Sequence, residues 1–252
     1  MPVPITILLY STIFLYGIVI GSFLNVCILR IPAKESMVSG SHCVSCGHRL
    51  RWYDLFPLFS YFFLKGRCRY CGAKISVQYP LVEGINGLLY VIVFWANGLN
   101  FFSVLYCLMT SALLVVSVVD WRTYEIPFPC NVFLLGLGII ACVLDFPEVV
   151  DHLVGLLAVS AALCLLYLLS GGRAIGGGDV KLMGAAGLLL GAKLIVLAFF
   201  LGCILGSVIH LVRIKLSGAG HVLAMGPYLS AGIFLSALWG NRMIEWYLGL
   251  LV

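Results

Sequence analysis

A carboxylate ends the apolar run Leu113-Leu114-Val115-Val116-Ser117-Val118-Val119-Asp120, and this stretch decides the class of fold. A second acid, Asp179, follows three glycines and precedes another apolar run over residues 182–190. An ionisable side chain in or beside a membrane span is costly, so it marks a functional position. The two aspartates therefore predict carboxylate chemistry at a membrane.

The composition supports an all-α, polytopic membrane protein. Hydrophobic residues make up 62% of the 252 residues and charged residues only 10%, which is more apolar side chain than a soluble chain can bury. One span needs roughly 20 mostly apolar residues. We expect about eight spans, followed by an interfacial tail over residues 241–252. The spans are predicted near residues 5–29, 81–97, 101–119, 130–146, 152–169, 180–191, 193–213 and 222–240.

The basic residues predict the orientation of these spans. Loop 30–80 carries 8 of the 15 Lys and Arg residues, so the positive-inside rule places it in the cytoplasm. The N-terminus then lies outside, and both aspartates lie on the cytoplasmic side. The chain divides into a first membrane helix (1–29), a cytoplasmic loop (30–80) and a multi-helix membrane domain (81–252). The sequence contains no long basic run of the kind that binds nucleic acid.

The loop contains two C-x-x-C-G motifs, separated by 21 residues, with their cysteines at positions 43, 46, 68 and 71. Four thiolates suit a closed, structural zinc site, and metal binding can stabilise a loop too small for its own core. Two disulfides or redox-active pairs are the alternative, which the cytoplasmic placement disfavours. His42 or His48 can also replace a cysteine as ligand. We predict a Zn²⁺ site formed by Cys43, Cys46, Cys68 and Cys71.

Three interpretations of the aspartates remain open on the residues alone. Asp179 can cap the helix that follows it, because a carboxylate is favourable at a helix N-terminus. The pair can form a proton path in a transporter, or it can form an aspartyl protease dyad. In a dyad one carboxylate acts as base toward water while its protonated partner polarises the scissile carbonyl. Glycines before Asp179 then allow a substrate backbone to approach closely.

Three further charged residues have two possible roles each. Lys181 and Arg122 can tune the aspartates or extend to lipid headgroups. Glu83 can bind a substrate or pair with a basic residue of the loop. These side chains complete the candidate site.

Segments along most of the chain resemble the bacterial type IV prepilin peptidases. Gly176-Gly177-Gly178-Asp179 matches the G-x-G-D signature of intramembrane aspartyl proteases. The stretches 120–127 and 177–183 resemble the two aspartate segments of that family, and the two-knuckle loop fits its bifunctional members. Shorter matches lie at 21–26, 30–32, 79–83 and 226–229. The resemblance therefore covers the candidate site and the cysteine loop together.

The resemblance implies a bifunctional enzyme of the inner membrane. It implies cleavage of the leader of type IV prepilins and type II secretion pseudopilins on the cytoplasmic side, with Asp120 and Asp179 as the catalytic pair and Gly176 and Gly178 in support. It also implies N-methylation of the new N-terminus from S-adenosylmethionine.

A Gly-Lys pair linked to methyl transfer in the family corresponds to Gly66-Arg67 here, and the resemblance makes Glu83 a further candidate contact for the prepilin or the methyl donor. Many relatives place an acid where this chain has Phe128. Peptide cleavage by the pair needs no metal. A peptidase without methyl transfer is the nearest alternative, and a proton-coupled transporter or a zinc-loop scaffold are the others.

Overall fold

The computed structural model describes residues 3–217 and 223–250, and the elements in that part of the chain are helices. Only two isolated bridges, His42 with Arg49 and Arg67 with Lys74, depart from this pattern there. The all-α prediction is therefore confirmed. The helices are α1 (Val3–Ala33), α2 (Phe59–Phe63), α3 (Gln78–Asn97), α4 (Phe101–Thr123), α5 (Phe128–Leu144), α6 (Val149–Ala158), α7 (Ser160–Ser170), α8 (Gly177–Leu190), α9 (Ala192–Ser217) and α10 (Gly226–Gly249).

Five helical stretches of the described residues are long and apolar enough to cross a membrane. They are Val3–Ala33, Gln78–Asn97, Phe101–Thr123, Phe146–Ser170 and Ala192–Leu216. The fourth stretch contains both α6 and α7, which meet at Val159. Helix α8 has only 14 residues and is not among the five. The count of eight spans therefore stays a prediction.

The predicted spans and the helices differ in their bounds, as the first and the last span illustrate. The first helix continues to Ala33, beyond the predicted end at residue 29. The start of the predicted span 222–240 lies outside the described residues, while its helix, α10, extends to Gly249. Apolar periodicity does not mark either end sharply, because polar residues at a membrane surface continue a helix without interrupting its backbone hydrogen bonds.

The chain forms two compact units, one ending at Trp95 and the other beginning at Ala96. In the first unit, α1 and α3 approach closely at glycines. A Cβ on Gly17 would lie 2.6 Å from the Cα of Gly87, and a Cβ on Gly21 would lie 2.7 Å from the Cα of Glu83. Small residues let two membrane helices pack with their backbones in contact. The predicted three-part division at residues 30 and 81 stays a prediction.

Polar side chains fix the register of this helix pair. The buried amide of Asn86 donates to the carbonyl of Gly17 at 2.7 Å. Asn25 donates to the carbonyl of Tyr79 at 3.1 Å and accepts from the side chain of Gln78 at 3.3 Å. The end of α1 is thereby held beside the beginning of α3, so the intervening loop leaves and returns at neighbouring points.

In the second unit, α8 is the central helix. It is buried from Leu182 to Leu190 and packs against the surrounding helices α5, α6, α7 and α9. Helix α10 lies against α9 and α4. Asp179 stands in the first turn of α8, and Asp120 stands in the last turns of α4. The bundle therefore carries the two predicted site residues on helix ends.

Candidate active site

Asp120 is a buried carboxylate, with an exposed fraction of 4%. Its Oδ2 accepts the backbone N–H of Gly226, the first residue of α10, at 2.8 Å. Backbone N–H groups in the first turn of a helix lack partners within the helix and favour negative charge. The end of α4 is thus joined to the start of α10 through one oxygen of Asp120, and its other oxygen is left for a second partner.

Gly226 is required by this contact. A Cβ at position 226 would lie 2.7 Å from Oδ2 of Asp120 and 2.9 Å from both its Cβ and its Cγ. The sequence placed Gly226 in a family-like segment but assigned it no role. The available signal was a glycine directly before Pro227, because proline is common at the start of a helix. That signal locates the helix start but not its acidic partner.

Asp179 is half-buried, and its glycine neighbours shape its surroundings. Its own N–H donates to the carbonyl of Gly176 at 3.1 Å. A Cβ on Gly176 would lie 3.0 Å from Oδ2 of Asp179, and one on Gly178 would lie 2.9 Å from the Cβ of Ile126. Gly176 therefore leaves room for the carboxylate, and Gly178 allows α8 to contact the segment that follows α4.

The two aspartates stand on helix ends that approach each other, because Gly178, next to Asp179, packs against Ile126 in the segment that follows Asp120 and α4. They come from opposite ends of their helices and are 59 positions apart in the sequence. Two like charges held together in one partly buried site resist simultaneous ionisation, and such a pair can share one proton. This arrangement is chemically suited to one acid and one base acting on the same bond.

Lys181 and Arg122 each lie two residues after one of the aspartates, and both side chains are exposed. The Nζ of Lys181 lies over the ring of Phe128, 5.4 Å from its centroid. Among the described residues Lys181 forms no ion pair with Asp179. Phe128 thus holds the ammonium group in a cation–π contact.

An apolar groove of about 720 Å³ lies beside the start of α8. Helices α5, α7 and α8 supply its walls, including Leu135, Ala161 and Val180. Lys181 and Asn131 are among its few polar lining residues. The amide of Asn131 is buried without a hydrogen-bond partner among the described residues. Sequence analysis missed Asn131, because a lone amide in an apolar helix carries no motif.

The four predicted cysteines converge in the first unit. Their sulfur atoms all lie within 4.8 Å of one another, and the sulfurs of Cys43 and Cys71 are 3.8 Å apart. A tetrahedral site with Zn–S bonds of about 2.3 Å places its sulfurs about 3.8 Å apart. All four residues are free thiols. The donor set therefore fits one zinc ion.

The two knuckles have the same backbone geometry. Gly47 and Gly72 adopt φ values of 69° and 72°, in the left-handed region that favours glycine. Their N–H groups donate to the carbonyls of Cys43 and Cys68 at 2.8 Å and 2.9 Å. The N–H groups of Cys46 and Ser45 lower the pKa of the Cys43 thiol to about 6. The first knuckle therefore aims backbone amides at the sulfur of Cys43.

Asp54, which sequence analysis missed, anchors the second knuckle. Its carboxylate accepts from Arg69 at 2.7 Å, from the Tyr70 hydroxyl at 3.1 Å and from the N–H of Arg51 at 3.3 Å. Burial raises the pKa of Asp54, but these three donors outweigh it and hold the pKa below its ordinary value. The only signal in the sequence was that Asp54 is one of just two acids among the eight basic residues of the loop.

Glu83, Gly66 and Arg67 are not gathered into one pocket. Glu83 is buried on α3, where it accepts the N–H of Leu58 at 2.7 Å and the hydroxyl of Ser22. Gly66 is buried in the second knuckle, and Arg67 beside it is exposed. No hydrogen bond joins Glu83 to either of them in the described part of the loop. These residues do not by themselves define a site for S-adenosylmethionine.

These features together define a class: a helical, multi-pass membrane protein with paired carboxylates and a four-cysteine loop. Residues 15–97 match the family model described as the bacterial peptidase A24 N-terminal domain, and residues 107–211 match the type IV leader peptidase family. The chain belongs to the type IV leader peptidase family. It is therefore an enzyme of the inner membrane.

Curated relatives extend this similarity over nearly the whole chain. A prepilin leader peptidase/N-methyltransferase of Aeromonas salmonicida is 30% identical and covers 96% of this chain and 94% of the relative. One from Pseudomonas aeruginosa is 31% identical over 93% and 91% of the two chains, and one from Bacillus subtilis is 29% identical over 94% and 97%. No solved structure matches the chain.

Proposed function

We propose that this enzyme cleaves the leader peptide of type IV prepilins or pseudopilins, with Asp120 and Asp179 as its catalytic pair. The observation that carries the proposal is the position of two carboxylates on approaching helix ends: Asp120 is buried at the end of α4, and Asp179 stands in the first turn of α8, where Gly178 packs against Ile126. Membership of a peptidase family supports it and argues against the proton-coupled transporter.

The proposed reaction uses the two acids in different protonation states. The ionised carboxylate removes a proton from water as it attacks the scissile carbonyl, and the protonated carboxyl donates to the carbonyl oxygen. Collapse of the tetrahedral intermediate breaks the C–N bond and returns a proton to the leaving amine. The N–H of Gly226 fixes one oxygen of Asp120, which orients the other. The two carboxyl groups supply every proton transfer, so this step uses no metal.

The groove of α5, α7 and α8 is the proposed binding place for the apolar segment of the substrate. Its lining is almost entirely apolar, and it begins beside Val180 and Lys181, immediately after Asp179. An apolar helix seated there would present its end to the aspartates.

The test of the peptidase is cleavage of a prepilin in membranes by Asp120→Asn and Asp179→Asn. Each substitution keeps the shape of the side chain but removes its acid–base function, so we expect cleavage to be lost while the protein stays folded. Glu125→Gln is the matched control, because Glu125 is an exposed acid only five residues from Asp120. Near-normal cleavage by either aspartate variant would reject the dyad.

We further propose that the enzyme methylates the N-terminus it exposes. The names of the relatives support this second activity, and the cysteine loop distinguishes the chain from a minimal peptidase. S-adenosylmethionine would supply the methyl group, because the methyl on its sulfonium sulfur is electrophilic and can be attacked by the new N-terminal amine. Glu83, Gly66 and Arg67 stay predictions as donor or substrate contacts, and a peptidase without methyl transfer is the alternative. Mass spectrometry of a co-expressed prepilin reports the cleavage site and the methyl group together.

The proposed cofactor of the loop is one structural Zn²⁺ held by the four cysteines. The proposed orientation has the N-terminus outside and the aspartates and the loop facing the cytoplasm. Its support is the distribution of basic residues, 13 of 15 of which fall on predicted cytoplasmic segments. Cysteine-accessibility labelling from each side of sealed vesicles tests this orientation.

A further inference from the structure

A ten-residue apolar segment interrupts the basic loop of the first unit. Residues 55–64 read Leu-Phe-Pro-Leu-Phe-Ser-Tyr-Phe-Phe-Leu and contain no charged side chain. The segment includes the short helix α2 and is far below the roughly 20 residues that a span requires. A segment of this length and apolarity is typical of a buried core or of a membrane interface.

The side chains of this segment do not form a core. Phe62 and Phe63 have exposed fractions of 71% and 83%, and Phe56 and Phe59 are also exposed. Trp52, just before the segment, adds a further exposed ring. Large contiguous apolar surfaces are rare on soluble domains and mark a contact with a partner or a membrane.

Glu83 holds the segment at a defined level along α3. Its Oε2 accepts the N–H of Leu58 at 2.7 Å. Leu58 adopts a φ of 58°, a conformation that bulky residues rarely take without compensating contacts. Glu83 is the sixth residue of α3, so at 1.5 Å per residue it lies about 8 Å from the helix start. Because α3 is a candidate span, the segment lies beside its first turns, where the helix enters the membrane.

The charges around the segment favour an anionic surface. Arg51 precedes it, and Lys65 and Arg67 follow it directly. Loop 30–80 has eight basic residues and only two acids, Glu35 and Asp54, and Asp54 is already paired with Arg69. Basic residues beside aromatic ones bind the headgroup region of anionic leaflets, with the rings reaching the acyl boundary.

We propose that residues 55–64 form an interfacial segment that inserts its aromatic side chains into the headgroup and upper acyl region of the leaflet from which α3 begins. Lipid is the partner, because the segment is tethered at membrane level and flanked by cations. Glu83 is then the positioning residue for this segment. The proposal depends on neither the peptidase nor the methyltransferase activity.

The test uses the full chain reconstituted in vesicles of phosphatidylcholine and phosphatidylglycerol with brominated acyl chains, which quench nearby tryptophan. Phe62→Trp and Phe63→Trp report on the segment separately, so the test does not rely on one variant. Val38→Trp is the matched control, since Val38 lies in the same loop with an exposed fraction of 93%. The fluorescence added by each substitution is obtained by subtracting the unsubstituted protein.

We expect the added fluorescence of Phe62→Trp and Phe63→Trp to be quenched by brominated lipid and protected from aqueous iodide. Val38→Trp should show the opposite pattern. Iodide quenching of both reporters equal to that of Val38→Trp, without quenching by lipid, would overturn the proposal. Protection that develops only after a prepilin or a second copy of the chain is added would also overturn it, because the partner would then be a polypeptide.

Discussion

Gly226 donates its backbone N–H to Oδ2 of Asp120 across 106 positions of sequence, with an N···O distance of 2.8 Å. This bond joins the start of α10 to the last turns of α4. It fixes one oxygen of the carboxylate and leaves its charge in place, whereas a side-chain cation would neutralise that charge. The orientation of Asp120 therefore depends on the absence of a side chain at position 226.

Gly226→Ala should reduce prepilin cleavage while leaving the chain folded. The added Cβ would lie 2.7 Å from Oδ2, so Asp120 must move by several tenths of an ångström or more. Misplacement of a catalytic group by about 1 Å can cost on the order of 100-fold in rate, and we expect the loss in kcat rather than in KM. Gly249→Ala in the same helix is the control, because nothing lies within 4 Å of its Cβ. Equal activity of both variants would contradict the proposed role.

Ala161→Trp should weaken substrate binding by filling the groove. Ala161 lines the groove on α7, whereas its exposed neighbour Ala162 does not, so Ala162→Trp carries the same bulk on another face. We expect KM for prepilin to rise about tenfold for Ala161→Trp, which corresponds to ~1.4 kcal/mol of lost binding. The KM of the control, Ala162→Trp, should be close to that of the unsubstituted protein. Similar KM values for both variants would place the substrate elsewhere.

Cys68→Ser should abolish zinc retention. Cys68 is the buried member of the cluster, and an uncharged hydroxyl is a poor replacement for a thiolate ligand. Metal analysis of purified protein should give about one Zn²⁺ per chain, and none for the variant. Proteolysis of loop 30–80 should accelerate, because metal binding contributes to the folding of the loop. Cys164→Ser, at an exposed thiol on α7, should retain the metal. Full zinc content in Cys68→Ser would exclude the four-cysteine site.

Asp54→Asn should loosen the second knuckle in a pH-dependent way. The folded-state pKa of Asp54 is depressed, so its ionised form stabilises the loop above its unfolded pKa of about 3.9. That contribution is lost as the pH falls through the lower, folded-state pKa.

At neutral pH we expect on the order of tenfold faster hydrogen exchange around Arg69 and Tyr70 in the variant. Exchange measured down the acid range should show the difference between variant and unsubstituted protein shrinking below pH ~4. Glu35→Gln, which alters the other acid of the loop, provides the comparison. A difference that is independent of pH would assign the effect to altered packing.

The features that sequence predicted well are those encoded locally. The C-x-x-C-G motifs contain their own turn geometry, and the structure brings Cys43, Cys46, Cys68 and Cys71 together. The sequence also indicated a helix following Asp179, and α8 begins at Gly177 with Asp179 in its first turn. The number of helices was harder to predict from the sequence. Helices α6 and α7 meet at Val159, but the residues around this junction are as apolar as those of a continuous helix.

The composition determined by itself that this chain is a helical membrane protein, since bilayer energetics require apolar helices whatever their arrangement. The spacing of short motifs likewise determined the cysteine cluster and the candidate aspartates. The tertiary structure decided what surrounds those aspartates. Gly226 donates to Asp120 across 106 positions, Ile126 packs beside Gly178, and Phe128 lies under Lys181. Glu83 is directed to Leu58 rather than to a basic residue of the loop. Such partners follow from how helices pack against one another, and no local pattern encodes that packing.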